Sequence, residues 1–116
     1  MADNTIDLKH EKCIPCQGGT PPMPLNEATD LLKNLDEGWS INAAGHLERV
    51  ILLKNFSQAI KLATRFGEIA DSEGHHPDLL VSYGKLGVEI WTHKISGLSR
   101  SDFVLAAKFD EAMAKP

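Results

Sequence analysis

Apolar and polar positions along this chain follow two periods in turn, and each change of period marks an element. Ala28, Leu31, Leu32 and Leu35 fall at helical spacing behind Asn26, a capping residue type. Glu27 and Asp30 sit in the first turn and Gly38 follows as a stop. Trp39 to Ala43 then changes to period two, with Trp39 and Ile41 on one side and Ser40 and Asn42 on the other. Ala44-Gly45 turns the chain, and His46 to Leu53 returns as a second strand. Ser57 is the expected cap of the longest helix, and Phe56 before it is the expected staple. Its apolar stripe is Ala59, Ile60, Ala63, Phe66 and Ala70, widened by Leu62 and Ile69. Gly74 supplies a left-handed stop and Pro77 blocks continuation. Leu79 to Tyr83 and Val88 to His93 form a second predicted hairpin, turning at Gly84-Lys85-Leu86-Gly87. Strand parity puts Val88, Ile90 and Thr92 on one face and Glu89, Trp91 and His93 on the other. Ser99 and Asp102 have capping-box spacing, and a last helix follows through Phe103, Ala106, Ala107 and Ala112.

The order helix, hairpin, helix, hairpin, helix implies an α+β fold. The expected architecture is one domain, a four-stranded mostly antiparallel sheet with about three helices on one face. The other face must meet solvent, a ligand or another subunit. Residues 1–22 show no apolar period and end in Gly18-Gly19 and Pro21-Pro22. They read as an irregular leader before a domain at residues 23–116, with no core face and no necessary part in the fold.

Composition narrows the function classes. At 116 residues the chain is one domain long. A net charge of −4 gives no electrostatic footprint for nucleic acid. No apolar run approaches the ~18 residues of a membrane span. The N-terminal residues lack the basic-then-apolar order of a signal peptide, so the expected location is cytoplasmic. Cys13 and Cys16 are the only cysteines. They precede a Gly-Gly and Pro-Pro cluster and have no second pair, so they read as a reduced pair in an extended arm.

Three of the five histidines lie between Asp71 and Asp102. Imidazole titrates near neutrality, at roughly 6.5, so it both gives and takes protons at working pH. His75 and His76 leave a helix C-terminus side by side and therefore point in different directions, which suits two contacts on a planar ligand better than one shared metal. His93 follows Trp91 at a strand end. Asp102 has the position of a helix cap. Asp71 and Glu73 lie near a helix end, where the dipole disfavours carboxylates, and one of them is available to pair with a histidine or with a Lys or Arg, whereas His10 and His46 read as surface residues.

His75-His76-Pro77, five residues, Tyr83, nine residues, His93, eight residues, Asp102 resembles the signature of the pterin-4a-carbinolamine dehydratases, with Asp71 at the acidic position four before the first histidine. Gly38-Trp39, the Phe56 helix start, Trp91-Thr92-His93 and Gly97-Leu98-Ser99 look like that family too. The leader with Cys13 and Cys16 resembles bacterial members. The resemblance implies a hydro-lyase that converts a 4a-hydroxytetrahydropterin to quinonoid dihydropterin and water, without metal, redox cofactor or covalent intermediate. It implies that His75 and His93 are the acid–base pair and that His76 holds the pterin, with Asp71, Trp91 and Asp102 binding or orienting. It also implies a homodimer or homotetramer, and coupling to an aromatic amino acid hydroxylase such as phenylalanine hydroxylase. Two other readings compete. One is a zinc enzyme ligated by His75, His76 and His93. The other is a non-catalytic pterin-binding or protein-interaction module.

Overall fold

The computed structural model describes residues 7–14 and 18–114. Helix α1 spans Leu25–Leu32 and strands β1 and β2 span Ser40–Ile41 and Leu47–Leu52. Helix α2 is Phe56–Glu73, strands β3 and β4 are Asp78–Ser82 and Lys85–Ile90, and helix α3 is Arg100–Ala114. The sheet runs β1-β2-β4-β3, and all three pairings are antiparallel. The expected α+β architecture of four strands and three helices is therefore the observed one.

Parity decides which face of the sheet is covered. Leu47 and Ile51 of β2 and Leu86, Val88 and Ile90 of β4 are buried beneath the helices. Their neighbours Val50 and Leu52, with Leu80 of β3, stand on the open face. Phe66 of α2 and Phe109 of α3 stack at 4.1 Å in the core between those helices. Each is fully buried, which contributes about 1.5–3 kcal/mol per side chain. Asp110 of α3 takes Trp39 Nε1–H at 2.8 Å and Arg49 Nη1–H at 2.7 Å, tying the first hairpin to the last helix.

Element starts differ from the sequence expectation. Helix α1 begins behind Pro24, so Asn26 lies inside its first turn, and it ends at Leu32, well before Gly38. Asn55 rather than Ser57 caps α2, accepting from Gln58 N–H, while Gln58 Oε1 accepts from Lys54 N–H. The second hairpin turns at Tyr83-Gly84, and Gly87 lies within β4 opposite Leu80. A Cβ on Gly87 would stand 3.4 Å from Leu80 Cβ, an ordinary contact, so packing across this pair does not by itself demand a glycine.

Among its described residues the leader is irregular apart from one short 3-10 turn, Leu8–His10, yet they are docked. Leu8 is 2% exposed and supplies the core face that the sequence pattern did not disclose. Cys13 N–H donates to Glu73 Oε1, Ile14 N–H donates to Ser101 Oγ, and Ser101 Oγ–H donates to Ile14 O. Arg100 holds the Glu11 carboxylate through two hydrogen bonds. With the leader on one side and the sheet on another, every residue of α3 from Ser101 to Ala107 is buried. Burial, then Glu73, pushes the Cys13 thiol up to about 12, so it is an inert packing group. Cys16 lies outside the described residues.

Candidate active site

Three element ends meet at the site. The first is the C-terminus of α2. Gly74 adopts φ +65°, the left-handed stop that a residue with a Cβ adopts only with strain, and its N–H closes back on Ala70 and Asp71. The chain leaves the helix there, so His75 and His76 project from its end. The second is the end of β4, where Thr92 and Gly97 pair across a tight loop containing the 3-10 turn His93–Ile95. Gly97 is required by close approach: a Cβ would stand 2.6 Å from Pro22 Cβ. The third is the N-terminus of α3, carrying Ser99 and Asp102.

Asp102 is completely buried and accepts three hydrogen bonds. Oδ2 takes Ser99 N–H at 2.8 Å, which is the reach-back arm of a capping box. The same oxygen takes Thr92 Oγ1–H at 2.9 Å. Oδ1 faces His75 Nε2 at 2.5 Å. Thr92 Oγ1 lies 2.7 Å from Ser99 Oγ, which completes the buried polar group. Asp102 is thus both a cap and the anchor of a histidine. Carboxylate oxygens accept, so His75 carries a hydrogen on Nε2, which puts the lone pair of the neutral imidazole on Nδ1.

The remaining site residues are more exposed. His76 Nε2 lies 3.0 Å from Asp71 Oδ1, but the two side chains are 61% and 82% exposed, so this pair is water-screened and weak. His93 stacks on the Trp91 indole with ring centroids 4.2 Å apart. His75, His76, Trp91 and His93 line one cleft of about 260 Å³, together with Gly74, Thr92 and Lys94. Asp102 lies beneath His75, and Asp71 stands behind His76. The three histidines have separate partners, and among the described residues no three His, Cys, Asp or Glu side chains form a group able to hold a metal ion.

Sequence reasoning missed three participants. Strand parity puts Thr92 on one face with Val88 and Ile90, but nothing in the sequence marks its hydroxyl as a partner of Asp102. Lys94 lines the cleft and gave no signal. His46, read as a surface residue, has a side chain only 16% exposed and stacks on Trp91 at 4.0 Å. His10 is exposed, as expected, and pairs with Asp7.

The comparisons agree with this geometry. The sequence profile described as Pterin 4 alpha carbinolamine dehydratase matches residues 21–112. A candidate pterin-4-alpha-carbinolamine dehydratase of Rickettsia bellii (strain OSU 85-389) is 48% identical over 106 residues, covering 91% of this chain and 94% of that protein. One from Alkaliphilus metalliredigens (strain QYMF) is 45% identical over 109 residues, 94% of this chain and 98% of the relative. The crystal structure of a transcriptional coactivator/pterin dehydratase from Brucella melitensis has the same fold, with a TM-score of 0.71 at 24% identity, covering 78% of this chain and 96% of that one. With a profile match over most of its length and relatives this similar end to end, the chain belongs to the pterin 4 alpha carbinolamine dehydratase family.

Proposed function

We propose that this member of the family dehydrates a 4a-hydroxytetrahydropterin to quinonoid dihydropterin and water, with His75 and His93 as its two proton-transfer groups. The C4a–O bond breaks as the leaving hydroxyl receives a proton. The C4a–N5 double bond forms as N5 gives one up, so the protons balance. The observation that carries the reading is the single cleft lined by His75, His76 and His93, with His75 anchored by buried Asp102. His75 Nδ1 is the nitrogen free to exchange a proton once Nε2–H is committed to Asp102. His93 stands on Trp91, and His76, weakly held by Asp71, is the group that adjusts to the pterin ring. Asp71 acts through His76. Trp91 acts as the support of His93, because stacking a substrate on its face would require an imidazole to leave.

The test is dehydration of chemically generated 4a-hydroxytetrahydropterin by purified protein, followed by ultraviolet absorbance. His75→Ala and His93→Ala are each expected to lower turnover by at least about tenfold, the low side of the general acid–base range because carbinolamines dehydrate unaided. His76→Ala is expected to raise the Michaelis constant with a smaller loss of turnover. Near-wild-type turnover in the folded His75→Ala, His93→Ala double variant would sink the assignment. Loss of wild-type turnover on chelation would favour the zinc reading, and pterin binding without turnover the non-catalytic one.

The same reading extends to assembly and setting. Val50, Leu52 and Leu80 expose 55%, 80% and 68% of their surface on the uncovered sheet face, which supports a homodimer or homotetramer. Only monomer in light scattering at micromolar concentration would count against it. A hydroxylase that uses a tetrahydropterin, such as phenylalanine hydroxylase, is the class of enzyme able to supply this substrate. A cytoplasmic location fits that coupling, and no helix among the described residues is long and apolar enough to cross a membrane.

A further inference from the structure

The turn between β1 and β2 touches the site although His46, which it carries, does not line the cleft. The His46 ring lies on one face of Trp91 with centroids 4.0 Å apart and the planes within 4°. His93 stacks on the same indole at 4.2 Å and 19°, and two imidazoles lying this close and this nearly parallel to one indole fit only on its two faces. The indole is therefore held between two imidazoles, one outside the cleft and one in it. His46 is held at both its ring and its main chain. The ring Nδ1 lies 2.6 Å from Glu89 Oε2, and the residue's backbone N–H donates to Asn42 Oδ1 at 3.0 Å. Asn42 Nδ2 in turn donates to Glu89 at 3.0 Å and to Glu48 at 2.9 Å. The pairing of His46 and Asn42 with Glu89 also holds that carboxyl below the usual carboxylate range, Asn42 being the larger cause.

We propose that His46 is a positioning residue for the dehydration: clamped by Glu89 and Asn42, it backs the Trp91 indole and through it sets where the His93 imidazole stands in the cleft. The proposal rests on the reading of His93 as a proton-transfer group. Its physical basis is the difference in fixation along the stack. His93 is an exposed side chain on a three-residue turn, so several rotamers compete, and the stack favours one of them. Trp91 itself is only half-buried. Without His46 the indole has room to tilt away from the cleft, and His93 follows it or loses its platform. A misplacement of that kind is felt in the chemical step more than in substrate affinity.

The experiment uses the full chain with His46→Ala and with His46→Phe, which restores a stacking ring without the Glu89 contact. Turnover is measured with the carbinolamine, and the His93 imidazole signals are followed by nuclear magnetic resonance, assigned by their loss in His93→Ala. His46→Ala is expected to lower turnover about three- to tenfold, the scale of one lost stacking contact, with the Michaelis constant within about twofold. It should also move the His93 signals, and His46→Phe should return both readouts toward wild type. His93 signals left in place by His46→Ala would overturn the proposal, whatever happens to turnover. So would moved signals with turnover unchanged, or a Phe variant as impaired as the Ala variant. If the wild-type chain turns over no carbinolamine, the dehydratase reading fails by itself. The buttress is then decided by whether Ala moves the His93 signals and Phe restores them.

Discussion

Asp102→Asn separates the two roles that Asp102 combines. The substitution preserves volume and removes one acceptor. With the amide oxygen placed where Oδ2 stands, Ser99 N–H and Thr92 Oγ1–H keep their partner, and the helix cap survives. The amide nitrogen then faces His75 Nε2. Two donors cannot share that contact, so His75 must move its hydrogen to Nδ1 and present a lone pair to the amide. Neutral His75 then meets the cleft as a donor and no longer as a base. The expected loss of turnover is about 10–100-fold, at and below the low end of the acid–base range. The stability cost should stay near 1–2 kcal/mol, roughly one charge-assisted hydrogen bond. Asp102→Ala differs because it takes the acceptor from Ser99 N–H, Thr92 Oγ1–H and His75 Nε2 at once, and a buried donor left unsatisfied costs roughly 1–3 kcal/mol. That is a large share of a domain's stability of about 5–15 kcal/mol, so loss of activity there could be loss of fold. The assay is carbinolamine dehydration at a protein concentration corrected for folded fraction, alongside urea unfolding. A folded Asp102→Asn protein with turnover within twofold of wild type would refute the anchoring argument and leave Asp102 a cap.

Two further outcomes follow from the docked leader. Deleting residues through Gly19 exposes the pocket of Leu8 and removes the bonds to Glu73, Arg100 and Ser101, so stability should fall by about 2–4 kcal/mol; an unchanged urea midpoint would show that the arm contributes nothing. The carboxyls of Glu11, Glu73 and Glu89 are all held below their ordinary value of 4.5, by hydrogen bonds from Arg100, from Cys13 N–H and from Asn42 with His46 respectively. Groups depressed on folding stabilise above the ordinary value, and that contribution is lost as pH falls through the lower folded values. The urea midpoint should therefore drop steadily below about pH 4.5, and a midpoint flat down to about pH 3 would refute the linkage.

The element order was legible because period two and period 3.6 persist over whole segments and Gly74 admits one reading. The caps were less legible. Several capping residue types adjoin each helix start, and at α2 the choice fell to Asn55 because Gln58 stands three residues on and returns a bond to Lys54. Gly84 and Gly87 looked alike in the sequence, yet Gly84 turns the chain at φ +76° and Gly87 lies within β4 opposite Leu80. The leader hid its role because one buried leucine and a set of backbone hydrogen bonds leave no period behind. Within the site, the residue types of His75, His76, His93 and Asp102 named themselves. Thr92 and His46 did not, since their partners lie on other elements and only the packed fold brings them together.

Fixation also differs in kind among the three histidines, and that difference orders their expected sensitivity. His75 hangs on a carboxylate that is buried, shares no contact with water and simultaneously holds the start of α3. Its orientation is therefore as stable as the junction of α2, β4 and α3. His76 pairs with Asp71 in the solvent, where such an ion pair contributes at most about 1 kcal/mol and yields readily to a ligand. His93 lies between these cases, held by the face of an indole and not by a charge. A site that must release water and accept a flat ring benefits from that gradation. In the proposed assignment, one proton-transfer group is fixed before the substrate arrives, one is held by packing, and the residue that meets the ring first is the one free to adjust.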